Sequence, residues 1–208
     1  MKIGAVGLPA DVAIPERPSG VIIFAHGSGS GRLSPRNRLV AEQLNAAGFA
    51  TILFDLLTEP EAEDRSNVFN IPLLASRMSE AITFVRNQSG LSRLPIGLFG
   101  ASTGAAAALM AAAAHGDDIA AVVSRSGRPD LALGVLHQVK APTLLVVGGY
   151  DEQVIEMNQT ALAALRCEKR MDIVPGATHL FKEPGTLDRV VELTTDWFSL
   201  HLGAKVEQ

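Results

Sequence analysis

Apolar residues along the chain fall into short β-branched runs separated by longer stretches with helical spacing. Val21-Ile22-Ile23-Phe24-Ala25 is apolar without interruption, the pattern of a strand covered on both faces. Before it, residues 11–15 alternate weakly and predict an edge strand, closed by a turn over 16–20. After it, Ser34-Pro35 predicts an N-cap with proline at the first helical position, and Leu39, Val40 and Leu44 carry that helix to a stop at Gly48. Residues 50–54 predict a second core strand. Residues 55–72 are a long polar connection, of a length that is often functional. The pattern then repeats: helix over 73–88, strand over 95–99, a small-residue helix over 103–115, and a strand over 119–123. A short helix over 131–137, a strand over 143–147 and a helix over 154–165 follow. A strand over 170–174 and an amphipathic helix over 187–202 complete the series. About six to seven strands alternating with helices predict an α/β fold, an open and mostly parallel sheet with helices on both faces. No fixed-period repeat or linker divides the 208 residues, so one domain over 1–208 is expected.

Composition narrows the classes of partner. Of the residues, 47% are hydrophobic and 19% charged, with a formal net charge of −4, and there is no Lys/Arg run. That leaves no electrostatic footprint for nucleic acid or an anionic membrane, and small molecules are the expected partners. No apolar run approaches the roughly 20 residues that span a bilayer. Met1-Lys2-Ile3-Gly4 does not open a signal peptide, so a cytoplasmic location is the expectation. The single cysteine, Cys167, excludes an internal disulfide framework and reads as structural.

In a parallel α/β sheet, ligands bind outside the carboxyl ends of the strands, so the residues that follow each strand carry the chemistry. After the first core strand comes His26-Gly27-Ser28-Gly29-Ser30-Gly31, and after the third comes Gly100-Ala101-Ser102-Thr103-Gly104. The latter is a G-x-S-x-G turn from strand to helix, which pushes Ser102 to an accessible tip. Gly148-Gly149-Tyr150-Asp151 and Gly176-Ala177-Thr178-His179 follow the fifth and sixth strands. One Ser, one Asp and one His therefore fall on the same edge. A serine hydroxyl is a poor nucleophile unless an imidazole takes its proton, and that imidazole needs a carboxylate to fix its tautomer. Negative charge developing on a substrate oxygen also needs donors, and the backbone amides of Ser28 and Thr103 are the candidates.

With these motifs the chain resembles the α/β-hydrolases, and within them the small dienelactone-hydrolase-like proteins. The resemblance covers nearly all of the sequence. It implies Ser102 as nucleophile, His179 as general base and acid, Asp151 as the orienting acid, and an oxyanion hole from the Ser28 and Thr103 amides. His26 resembles a structural histidine that orders the oxyanion loop. The namesakes of the group carry a cysteine nucleophile where this chain has Ser102, so cleavage of simple carboxylic esters through an acyl-enzyme fits better than dienelactone hydrolysis. No metal or organic cofactor is implied.

Each assignment has a plainer competitor. Ser102 or Asp151 would serve equally as a helix N-cap, and Asp55, at the end of the second strand, is the rival acid. His115, His137 and His201 lie in or at the ends of helices, where a solvated or satisfied histidine is ordinary. Arg32, Arg125 and Arg128 follow strand ends beside Ser102 and are candidates to hold an acidic substrate group, whereas Arg36 and Arg38 are expected to decorate the first helix. Phe69 is expected to form part of the cleft wall. Only one short helix fills the region where a lid is often inserted, which predicts an open cleft and slender acyl substrates. The same triad would also serve an acyltransferase or an amidase, and a small-molecule-binding protein with an idle triad is the non-enzymatic alternative.

Overall fold

The computed structural model of the chain describes residues 1–203. Its eight strands are β1 (Lys2–Ile3), β2 (Leu8–Ala13), β3 (Gly20–Ala25), β4 (Phe49–Phe54), β5 (Ile96–Ala101), β6 (Ile119–Arg125), β7 (Thr143–Gly148) and β8 (Lys169–Val174). They form one sheet in the order β1-β2-β4-β3-β5-β6-β7-β8. From β3 onward every pairing is parallel, while β2 runs antiparallel to both β1 and β4. The sheet thus exceeds the expected six to seven strands. The extra member is β1, a two-residue strand too short to show a hydrophobic period, which exists through its pairing of Ile3 with Leu8.

Strand alternation divides the core into two layers. Val21, Ile23 and Ala25 face one side with α3 (Ile71–Arg86), α4 (Thr103–His115) and α5 (Glu152–Ala164). Ile22 and Phe24 face the other side with α1 (Pro35–Ala46) and α6 (Thr186–Leu202). Ser34 caps α1 as expected, accepting from the Asn37 amide, with Pro35 behind it. The polar connection after β4 is not irregular throughout. It contains α2 (Glu59–Glu63), opened by a capping box between Thr58 and Glu61, and a 3₁₀ turn over Arg65–Phe69. The T-x-x-E spacing of that box is a sequence signal for a helix start. Between β6 and β7 stands a 3₁₀ helix over Pro129–Gln138, and no separate lid domain is present among the described residues. No helix among them is long and apolar enough to cross a membrane.

Close packing of α6 on the sheet depends on Gly97, where an added Cβ would lie 2.7 Å from the ring of Phe198. Phe198 is fully buried. Phe198→Ala is expected to lower unfolding free energy by about 3–5 kcal/mol in urea titration, while truncating the exposed Leu200 of the same helix should cost under about 0.5 kcal/mol.

Candidate active site

The turn from β5 into α4 leaves no room for a side chain at two positions. A Cβ on Gly100 would sit 2.4 Å from the Ala105 Cα, and one on Gly104 would sit 2.2 Å from the Ala25 carbonyl oxygen at the end of β3. Neither collision involves a side chain that could swing aside, so only glycine fits at both positions. Between them Ser102 takes φ 51°, ψ −122°, a backbone region costing about 1–3 kcal/mol for a residue with a Cβ. It is held there from both sides: the Ser102 amide donates to the Arg125 carbonyl at 3.2 Å, and its own carbonyl accepts from the Arg128 amide at 3.0 Å. Ser102 occupies the N-cap position of α4 but its side chain makes no capping hydrogen bond. The hydroxyl is left to the cleft.

Asp151 likewise stands at the N-cap of α5 without a side-chain cap bond. Its Oδ2 instead accepts from His179 Nδ1 at 2.6 Å. The loops that carry the two are locked together, the Tyr150 amide donating to the Ala177 carbonyl at 2.9 Å. The loop of His179 is braced further by Glu183, whose carboxylate accepts from both the Thr178 amide and hydroxyl. Those bonds hold the Glu183 carboxyl below its ordinary pKa. Sequence reading did not single out Glu183, a surface carboxylate four residues beyond the histidine. Ser102 and His179 line the same two clefts. No hydrogen bond joins them directly among the described residues, and such contacts commonly tighten only with substrate bound. Asp55, the rival acid, is committed elsewhere: it accepts from the Arg32 amide at 2.8 Å and pairs with the Arg32 guanidinium at 3.4 Å.

The loop after β3 lies against this turn, where a Cβ on Gly27 would meet Ser102 Cβ at 2.8 Å. The approach brings Ser28 beside Ser102 and Thr103, and all three line one cleft of about 300 Å³. Thr103 is the first residue of α4, where the helix itself supplies no acceptor for the N–H. His26 orders the loop. Its Nε2 accepts from the Leu56 amide at 3.0 Å and its Nδ1 lies 3.0 Å from the Gly27 carbonyl, a pairing that requires the neutral ring with the proton on Nδ1. Burial pushes the His26 pKa below its ordinary value.

The other sequence candidates separate. Phe69 and Arg128 line the 300 Å³ cleft with Ser102, Asp151 and His179, and the Arg128 guanidinium is occupied by Asp130 through two bonds of 2.9 and 2.8 Å. Arg125 lines a second cleft on the other side of Ser102. Arg32 does not join them, because its guanidinium pairs with Asp55 and, at 3.5 Å, with Asp11 on β2. Arg38 also pairs with Asp11. Arg36 departs from the expected surface role and lines the second cleft. His115, His137 and His201 lie on α4, the 3₁₀ helix and α6, outside both clefts. Cys167 is half-buried with its thiol 3.8 Å from the Thr143 hydroxyl, and burial raises its pKa.

Residues 8–196 match the model of the dienelactone hydrolase family. The chain belongs to that family. A dienelactone hydrolase from Anabaena variabilis is 51% identical, with 95% of this chain and 94% of that one covered at a TM-score of 0.92. Est1E from Butyrivibrio proteoclasticus shares the fold at a TM-score of 0.82 and 18% identity, covering 97% of this chain and 98% of that one. A Mycobacterium tuberculosis protein provisionally named a phosphoribosyl transferase is 55% identical over 199 residues, which are 96% of this chain and 45% of that protein. The chain therefore spans about half the length of this curated relative. The chain thus has the α/β-hydrolase fold of its family, with a mixed eight-stranded sheet and helices on both faces.

The histidine that orders the loop after β3 gives a pH dependence. Because folding depresses the His26 pKa, the unfolded chain takes up this proton first as the pH falls through about 6.5. Stability from this group is complete above that pH and declines below it. Urea titrations between about pH 5 and 7.5 should show a falling midpoint on acidification for the wild type and a smaller fall for His26→Gln. Equal slopes for the two proteins would remove His26 from the account.

Proposed function

We propose that the protein is a serine esterase acting on small carboxylic esters. Ser102 Oγ attacks the ester carbonyl carbon while His179 Nε2 takes the hydroxyl proton. Asp151 holds the Nδ1–H and stabilises the imidazolium that forms. The carbonyl oxygen, now an oxyanion, lies against the Ser28 and Thr103 amides. As the tetrahedral intermediate collapses, the C–O bond to the leaving group breaks and His179 returns its proton to the departing alcohol, leaving an acyl-Ser102. Water repeats the sequence and releases the acid, with His179 again as base and then acid.

The observation that carries this reading is the 2.6 Å contact between His179 Nδ1 and Asp151 Oδ2. It directs the remaining ring nitrogen toward the space shared with Ser102. A carboxylate spent on capping α5 would have left the imidazole free to adopt either tautomer. The leaving or acyl group has an apolar pocket of about 260 Å³ beside Ser28 and Thr103, walled by Leu56, Leu57, Val68 and Leu74. That volume suits slender rather than bulky groups. The transferase name of the mycobacterial relative belongs to a protein more than twice this length, and the groups around Ser102 support hydrolysis.

Wild type should react stoichiometrically with a fluorophosphonate and hydrolyse short-chain nitrophenyl esters. Ser102→Ala should abolish the labelling and lower kcat/KM on the order of 10⁴-fold or more. A folded wild-type protein that takes no label, or a Ser102→Ala variant that still does, defeats the proposal. Asp151→Asn should keep the label while lowering kcat by roughly 10²- to 10⁴-fold, with KM little changed.

A further inference from the structure

The second cleft beside Ser102 has the chemistry of an anion site. It is the roomiest hollow on this edge, about 610 Å³, and Ser102 and His179 form one wall. Arg125 and Arg36 line it, and no Asp or Glu among the described residues does. In a chain of net charge −4, a hollow with two guanidinium groups and no carboxylate is a local reversal of sign.

Arg125 is only 6% exposed, yet it forms no ion pair or hydrogen bond among the described residues, its Nε and Nη1 being buried without partners. Arg36 Nε and the Ser126 hydroxyl are buried in the same unpartnered condition. Burial, with the neighbouring Arg36 charge acting in the same direction, draws the Arg125 pKa down to about 10. Arg32 and Arg128, by contrast, each have a carboxylate partner. A buried guanidinium with nothing to pair with is destabilising unless some other anion supplies the pairing. The cleft also receives the N-terminus of α1 at Ser34, Pro35 and Arg36. That twelve-residue helix is capped by the neutral Ser34 hydroxyl and has no acidic side chain in its first turn, so no negative charge offsets its positive dipole end.

We propose that Arg125, Arg36, Ser126 and the N-terminus of α1 form a subsite that holds a phosphate monoester group of the substrate while its ester carbonyl lies against Ser102. Two guanidinium groups and a helix end match a dianion, whereas a carboxylate is satisfied by a single bidentate arginine. Ser126, a lining residue of the cleft, sits at φ 40° with its amide tied to the Val146 carbonyl at 2.7 Å, which fixes its backbone there. The subsite follows from the same strand end as the turn: Ala101 pairs with Arg125 in the register between β5 and β6, so the guanidinium and the nucleophile start from adjacent positions on neighbouring strands.

This assignment rests on the esterase reading for its orientation toward Ser102, and binding is therefore measured separately from turnover. Inorganic phosphate titrated into the wild type, followed by phosphorus NMR, should bind more tightly than acetate competes. Arg125→Met and Arg36→Gln should each weaken phosphate binding by roughly 10- to 100-fold, while Arg93→Gln, in the turn that precedes β5 at the opposite end of that strand from Ser102, should not. Without ligand, Arg125→Met should melt about 2 °C or more above wild type, because it removes an uncompensated buried charge. A fall in melting temperature would mark Arg125 as structural and overturn the assignment. Among matched esters, kcat/KM should rank phosphorylated above carboxylated above neutral, and both arginine variants should collapse that ranking. Equal rates for phosphorylated and carboxylated esters would overturn the dianion, and phosphate binding unchanged in both variants would overturn the site. Phosphate binding that survives in a wild type without esterase activity would leave the subsite standing and remove only the esterase reading.

Discussion

Everything on the functional edge depends on the close approach of α4 to the end of β3. With 2.2 Å between a hypothetical Gly104 Cβ and the Ala25 carbonyl oxygen, the helix begins as near to the neighbouring strand as backbone permits. That nearness forces the reversal at Ser102 into a positive φ, and it seats the loop after β3 directly on the turn through Gly27. A helix started one side chain farther out would relieve the strain. It would also part Ser28 from Ser102 and Thr103, which now line one cleft. The strain is therefore coupled to the close meeting of the two loops.

Parallel register extends the constraint outward. Ala25 pairs with Gly100, Ala101 with Arg125, and Arg125 with Val146. Four strands thus end at one level, and the loops that leave them have no choice but to surround Ser102. The loops after β7 and β8 then bond to each other through Tyr150 and Ala177, so the carboxylate and the imidazole meet without either being buried deeply. Polar groups elsewhere on the edge are settled locally: Asp55 by Arg32, Arg128 by Asp130, His26 by two backbone groups. Against that background the unpaired Arg125 is an exception, and exceptions to polar pairing in a folded interior are commonly explained by function.

Legibility in the sequence followed the range of the interaction. The buried strands and the 103–115 helix were readable because burial on both faces, or a run of small residues, is written in consecutive positions. The G-x-S-x-G turn and the order of Ser, Asp and His were readable because strand ends can be counted. β1 was not, since two residues carry no period, and the 55–72 segment was read as a loop although Thr58 and Glu61 held a capping signal. The arginines were the hardest. Arg32, Arg125 and Arg128 look alike in sequence, and what separates them is whether a carboxylate lies within reach. For Arg128 that partner is two residues away, but for Arg32 it is Asp11 and Asp55, brought by β2 and β4. Arg36, read as surface decoration, faces the cleft because α1 starts at its rim.

The apolar pocket beside Ser28 and Thr103 and the arginine-lined cleft beside Ser102 divide the labour that a small sheet edge can perform. One is walled by apolar side chains from the segment after β4, and its shape depends on packing that tolerates change of residue at constant volume. The other is defined by fixed charge, and charge in a low-dielectric setting is less forgiving, since removing either guanidinium leaves its repulsion partner relaxed but its ligand unheld. Under the proposed esterase reading, attack by Ser102 is indifferent to which hollow a substrate fills first. A substrate reaching both would be positioned at two points on either side of its carbonyl, and two fixed points are what convert a collision with Ser102 into a near-attack geometry.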